Sequence, residues 1–311
     1  MKCLVLGGGG FIGSAVTDKL LRDGHFVRVL VRHKTLPYRV FNDDEPLEWM
    51  RGDFENIEDL RQAICGVDVV FHLISSTTPK SSNDDMVHDI GSNQISTVRF
   101  LQLLHTSTVQ KVVFISSGGT VYGVPQYLPI TEVHPTNPIV SYGITKLAIE
   151  KYINMSADIY GFKSVVLRLS NPYGPRQRVE TAQGVIAAFL HRVLLGEPVE
   201  IWGTGNTTRD YIHIDDVGSA CAKAIAYNGS ERILNLSTGV GTSLNGILDI
   251  IEKILGKPAD RIYKQARGFD VPVNILDNTL IRKSFDWSPE ISIEDGLIQT
   301  ISALKILGAS S

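Results

Sequence analysis

Residues 4–16 read LVLGGGGFIGSAV, and their reading decides the fold. A short apolar run ends in four glycines, and an amphipathic stretch, FIGSAVTDKLLRDG (11–24), follows it. Gly7, Gly10 and Gly13 form G-x-x-G-x-x-G between a predicted strand and a predicted helix. Glycine permits the tight turn and lets backbone N–H groups approach a pyrophosphate, which then sits at the positive end of the helix. A glycine pattern alone discriminates little. At the first strand–helix junction of an alternating chain it signals a dinucleotide loop.

The chain alternates in this way. KCLVLG (2–7), FVRVLVR (26–32), VDVVFHL (67–73), KVVFISS (111–117) and KSVVLRLS (163–170) are short and mostly apolar, with helical stretches such as QISTVRFLQLLHTS (94–107) between them. Buried strands alternating with helices imply βαβ units and a parallel sheet covered on both faces. Past the Pro/Gly-rich NPYGPRQ (171–177), helices and loops dominate, with short strands PVEIWG (198–203) and RILNLS (232–237). The expected fold is α/β: a Rossmann-type, doubly wound parallel sheet with a smaller, mixed α/β C-terminal substrate lobe. The expected domains are 1–170, which binds a dinucleotide, and 171–311, partly interleaved with the first.

The 311 residues are 43% hydrophobic and 20% charged, ordinary for a globular protein of one large or two interlocked domains. A formal net charge of -3 leaves no basic footprint, so nucleic acid is not an expected partner. Cys3, Cys65 and Cys221 lack any C-x-x-C spacing and read as small buried hydrophobes, with no metal site or disulfide frame. Met1-Lys2 runs directly into CLVLGGGG, too short for a secretory apolar region, and no apolar run approaches the roughly 20 residues of a membrane helix. The expectation is a cytoplasmic protein without a membrane partner.

Two further stretches bear on chemistry. The second strand ends in VLVRHK, where an acidic residue would meet a ribose 2′-hydroxyl and favour NAD. Arg32, His33 and Lys34 stand there instead; a guanidinium suits a 2′-phosphate, so this feature leans toward NADP, against a solvated basic loop. Asp53, in RGDFEN after another short strand, could meet an adenine amino group, while NDDE (42–45) reads as a solvated loop. SYGITK (141–146) puts Tyr142 and Lys146 four residues apart, stacked on one helix face. By itself that spacing fits a proton-transfer pair or two surface side chains.

With SSGGTVYG (116–123), ITEVHPTNPIVSYGITK (130–146), RLSNPYGPRQ (168–177) and RDYIHIDDV (209–217) in this order, nearly the whole chain resembles the extended short-chain dehydrogenase/reductases. It is most similar to their nucleotide-sugar epimerase/dehydratase branch, typified by UDP-glucose 4-epimerase. The resemblance implies a nucleotide-sugar 4-epimerase, on a UDP-hexose in the first instance and a dTDP-sugar as an alternative, using bound NAD, with NADP an option because of Arg32. A reductase of nucleotide-linked 4-keto-6-deoxysugars is the runner-up, and a non-catalytic dinucleotide sensor a minor one. Tyr142 would be the acid/base and Lys146 would hold the nicotinamide ribose and lower the tyrosine pKa. The cofactor contacts implied are Gly7, Gly10, Phe11, Ile12, Gly13, Arg32, Asp53, Phe54, Leu73, Asn93 and Ser116, with Tyr142 and Lys146. Asn171, Trp202, Arg209, Arg267 and Asp270 would bind substrate, Trp202 stacking on the base or merely packing. A homodimer through the helices around 89–105 and 142–160 is implied as well. One departure stands out: the family's Ser or Thr four residues before the Tyr of VYG is Gly118 here, leaving Ser117 and Thr120 as candidate hydroxyls. GGTVYG also lacks the acids of dehydratases, which argues against dehydration. His72 and His213 lie in apolar contexts and read as core.

Overall fold

The apolar runs become strands of one large parallel sheet in a computed structural model that describes residues 1–177, 184–265 and 271–308. The strands are β1 (Lys2–Leu6), β2 (Phe26–Val31), β3 (Leu47–Arg51), β4 (Val69–His72), β5 (Lys111–Ser117), β6 (Lys163–Leu169), β7 (Asn171–Tyr173), β8 (Val199–Trp202), β9 (Thr208–His213), β10 (Ile233–Leu236), β11 (Gly241–Ser243), β12 (Arg261–Lys264) and β13 (Val273–Asn274). The α-helices are α1 (Phe11–Arg22), α2 (Ile57–Ile64), α3 (Ser81–Asp84), α4 (Met86–Asp89), α5 (Ser96–Leu103), α6 (Ser141–Tyr160), α7 (Val185–Leu195), α8 (Ile214–Ala226), α9 (Leu244–Leu255), α10 (Thr279–Phe285) and α11 (Ile293–Gly308). A π-helical turn, Ile90–Ile95, joins α4 to α5.

The large sheet runs β3-β2-β1-β4-β5-β6-β10, with every pairing parallel. Strand order reverses between β1 and β4, so a crevice opens outside their carboxyl ends, the usual ligand position in such sheets. Side chains along β1 alternate between two cores. Cys3 and Val5 meet Ala15, Val16 and Leu20 of α1 and Val217 and Ala220 of α8. Leu4 and Leu6 meet Leu60 of α2, Phe100 and Leu101 of α5, and Ile149 and Ile153 of α6. Because both faces are covered, the central strands read as continuous apolar runs without polar alternation.

After Asn171 the chain builds a smaller layer. Strand β9 is its centre, paired with β7 and β13 in parallel and with β11 antiparallel, while β8 pairs with β12. A third core of Tyr173, Phe189, Leu190, Val199, Ile247 and Ile251 lies beneath. Strand β10 returns to pair with β6, and α8 and α10 line the first core, so the two layers share this part of the chain.

One expectation needs correction. Cys3 and Cys221 are buried, but Cys65 is an exposed free thiol. It ends α2, where its carbonyl accepts a hydrogen bond from Arg28 Nη1 at 2.9 Å, and that backbone role leaves the side chain outside. NDDE (42–45) is a loop with its first three residues exposed, and Glu45 takes two hydrogen bonds from Arg39, at 2.9 and 2.6 Å.

Under the sheet lies a buried ion pair, Arg168 Nη2 to Glu150 Oε2 at 2.7 Å, with side chains 3% and 0% exposed. Removing one partner strands the other charge. Glu150→Ala is therefore expected to destabilise the protein by about 3–5 kcal/mol in denaturant unfolding. A loss below about 1 kcal/mol would mean that Arg168 finds solvent instead.

Candidate active site

The glycine loop brings the first turn of α1 against the end of β1. Gly7 takes φ +87°, open to glycine, and its carbonyl accepts the Gly10 N–H at 3.0 Å. A Cβ on Gly13 would lie 2.1 Å from the Gly7 oxygen, so only glycine allows this approach. Gly10 is the N-cap, and no side chain caps the helix and no acid sits in its first turn. The opening N–H groups, at Phe11, Ile12 and Gly13, are thus left for an anion at the mouth of the crevice.

Beyond the end of β2, Arg32, His33 and Lys34 are exposed and line a cavity of about 490 Å³ with Gly9, Thr35, Leu36, Pro37 and Tyr38. No carboxylate lines that cavity. Asp53 is exposed and accepts the Glu55 N–H at 2.9 Å. Phe54 is buried against the His72 ring, 5.0 Å between centroids, and half-buried Leu73 hangs from the Leu6 carbonyl at 3.2 Å. An uncapped helix start, a close glycine turn and a lateral cavity together fit a dinucleotide.

Tyr142 and Lys146 come to the same crevice on α6. No side chain of its own N-cap, Val140, caps this helix. Instead Asn83 Oδ1 accepts the Ser141 N–H at 2.9 Å and Ser82 Oγ accepts that of Tyr142 at 3.0 Å. Lys146 Nζ donates to the Ile115 carbonyl at 3.0 Å and lies 4.7 Å from the Phe114 ring centroid and 5.6 Å from that of Tyr142. Burial lowers the Lys146 pKa to about 8, against the pull of the Asp89 and Glu150 carboxylates. Burial pushes the half-buried Tyr142 up to about 12; a hydrogen bond with the Ser75 hydroxyl opposes this and Asp89 adds to it. In the chain alone, then, burial outweighs the phenolate stabilisation that the resemblance implies.

The hydroxyl question has a steric answer. A Cβ on Gly118 would meet Leu276 Cδ1 at 2.4 Å, so the space for a side chain there is already filled. Ser117 is half-buried, with its carbonyl accepting from the Thr120 and Val121 N–H groups. Thr120 Oγ1 is buried with no partner among the described residues. Ser116 points away, donating to Glu150. Ser75, which sequence reasoning missed, lowers the Tyr142 pKa while its Oγ donates to the Thr77 carbonyl at 3.0 Å; its signal was the hydroxyl-rich SSTT just beyond β4.

Asn93 is spent on structure. Its Oδ1 accepts the Ser76 N–H at 2.9 Å and its Nδ2 reaches Thr77 Oγ1 and Asp89 Oδ1, both at 3.0 Å. It holds the β4 loop in place. His72 is buried, bonded to Thr97 Oγ1 at 2.8 Å, and burial lowers its pKa to about 3; His213 caps α8 through Nδ1. In the small layer, Asn171 Nδ2 donates to the Asp210 carbonyl at 3.3 Å and Arg209 Nη1 to the Thr208 carbonyl at 2.9 Å. Trp202 ends β8 and is 39% exposed. Arg267 and Asp270 lie outside the described residues. Among the described residues, no three His, Cys, Asp or Glu side chains could hold a metal ion.

Comparison with known proteins shows the family and the fold. The sequence model of the NAD dependent epimerase/dehydratase family matches residues 3–237. A UDP-glucose 4-epimerase of Mycolicibacterium smegmatis is 35% identical over 312 residues, covering 98% of this chain and 99% of that protein. A dTDP-4-dehydro-6-deoxyglucose reductase of Escherichia coli is 31% identical, covering 97% of each. The crystal structure of a UDP-glucose 4-epimerase from Thermotoga maritima with UDP-glucose superposes with a TM-score of 0.92 at 34% identity, covering 99% of both chains.

The loop geometry predicts that Gly13→Ala weakens dinucleotide binding about tenfold or more, because the methyl forces α1 away from β1. Calorimetric titration checks this; unchanged affinity would remove the loop from the site.

Proposed function

The chain belongs to the NAD-dependent epimerase/dehydratase family, and from that premise we propose that it is a nucleotide-sugar 4-epimerase acting on a UDP-hexose, with NAD as resident cofactor. The observation that carries this reading is the Tyr142–Lys146 pair on α6, held at the crevice that the glycine loop opens. The nicotinamide ring, when bound, supplies a hydride acceptor and donor for sugar carbon 4. Tyr142 takes the proton of the 4-hydroxyl and later returns it. Lys146, at about 8, is mostly cationic at neutral pH and favours the phenolate that a tyrosine pushed to about 12 lacks. Lys146 would also hold the nicotinamide ribose, and the first turn of α1 would receive the pyrophosphate.

Asn171, Arg209 and Trp202 form the substrate side of the reading, together with Arg267 and Asp270, which lie outside the described residues. A fork-shaped guanidinium suits the diphosphate, and the exposed indole suits the base. Since position 118 carries no hydroxyl, Ser117, Thr120 or Ser75 serves the sugar. The three free cysteines suit a reducing compartment, the cytoplasm. Ile144, Met155 and Ile159 are exposed on one face of α6, and Val87, Ile90 and Ile95 are exposed along the neighbouring helical segment. Such a surface favours a homodimer.

A second reading, reduction of a nucleotide-linked 4-ketosugar such as a dTDP-sugar, is favoured by the basic cavity around Arg32 and by the likeness to the E. coli reductase. Mass spectrometry of the nucleotide released on denaturation separates the two. Near-stoichiometric NAD supports the epimerase; an empty site preferring NADPH overturns it. Tyr142→Phe is expected to lower turnover by about 10²–10⁴-fold, and full retained turnover would refute the acid/base role. Met155→Glu with Ile159→Glu is expected to give monomers in light scattering, and an unchanged mass would disprove this dimer face.

A further inference from the structure

Asp89 is fully buried, and nothing in the proposed chemistry uses it. Its Oδ1 accepts hydrogen bonds from Thr77 Oγ1 and, at 3.0 Å, from Asn93 Nδ2. Its Oδ2 accepts from Ser141 Oγ and Thr145 Oγ1, both at 2.8 Å. Four donors come close to filling the lone pairs of one carboxylate. They arrive from three segments: the loop after β4, the π-helical turn, and α6. All four are neutral, and among the described residues the carboxylate makes no ion pair. Ser141 and Thr145 stand one residue before Tyr142 and Lys146, which sets the carboxylate beside the pair.

We propose that Asp89 is a positioning residue for the Tyr142–Lys146 pair: it fixes the first turn of α6 against the β4 loop and sets the field in which the pair exchanges protons. The inference rests on the epimerase reading only for the use to which the pair is put. Burying a carboxylate among neutral donors is costly, and a purely structural clamp has no use for its field at the pair. The π-helical turn that follows α4 helps to gather the site, since Asp89 and Asn93 bond to each other there and Asn93 carries the β4 loop with it. The other groups facing the pair are Glu150 on α6, neutral His72 on β4 and the Ser75 hydroxyl on its loop. Asp89 opposes burial at Lys146 by favouring the cation, and at Tyr142 it works with burial by disfavouring the phenolate.

The test is Asp89→Asn, nearly the same shape without the charge, read by NMR titration of labelled lysine side chains, with Lys146→Arg giving the assignment. Losing the anion makes the Lys146 cation harder to hold, so its midpoint should fall from about 8 by about one pH unit. The pH profile of kcat/KM should shift with it. A stationary Lys146 midpoint overturns the proposal and leaves Asp89 as a clamp. Should the amide variant not fold, Thr145→Ala keeps the carboxylate but strips one donor from it. That variant should raise the Lys146 midpoint, and a midpoint that stays put again overturns the proposal. The titration needs no substrate, so a wild-type chain that turns over no nucleotide sugar would sink the epimerase reading without touching this result.

Discussion

The site depends on one backbone approach, the first turn of α1 lying against the Gly7 carbonyl at a distance that a Cβ on Gly13 would close to 2.1 Å. That contact fixes where the helix axis starts, and hence where its unpaired N–H groups and partial positive charge point. Any side chain at position 13 would displace α1 from β1. The same displacement would disturb the face of α1 on which α8 packs, where Ala15 and Val16 meet Val217 and Ala220. A binding requirement and a packing requirement are met by the same residue.

The second half of the site is assembled by polar bonds. Helix α6 is anchored below by Ile149 and Ile153 in the core, but its first turn is held by Ser82, Asn83 and Asp89, which lie in other segments. These bonds fix Tyr142 and Lys146 at the crevice without covering them with apolar bulk. Burial still acts on both, pushing the phenol up and the ammonium down, so each is shifted toward its neutral form. Bringing the two toward an ion pair is then a matter of charge. Asp89 and Glu150 favour the Lys146 cation, while Asp89 disfavours the Tyr142 phenolate.

The large sheet was legible because its strands are buried on both faces and its helices are long enough to show a period. The Tyr142–Lys146 pair was legible because an i, i+4 spacing survives whatever surrounds it. Ser75 and Asp89 were not legible, since their roles depend on which loop meets α6 in space and no local spacing encodes that. Strands β7, β11 and β13, two or three residues each, are set by pairing with β9 and carry no pattern of their own. Gly118 was visible as a departure, but its cause is Leu276, more than 150 residues away in sequence. Cys65 looked like a buried hydrophobe until Arg28 proved to be using its carbonyl.

The loop after β2 shows how magnitude separates a clasp from a lock. Asp18 on α1 accepts bonds from Tyr38 Oη, Arg39 Nε and Arg176 Nη1, each at 2.9 Å, so the cavity loop and the loop leaving β7 meet on one carboxylate. The charged side chains of this cluster remain 18%, 35% and 31% exposed for Asp18, Arg39 and Arg176. Water and salt screen such pairs, and each contributes about 0–1 kcal/mol. The packing of Tyr38 and Phe41 on the Trp49 ring, with centroids 6.2 and 5.8 Å away, adds a similar amount. Together these contacts order the loop, each too weak to lock it alone.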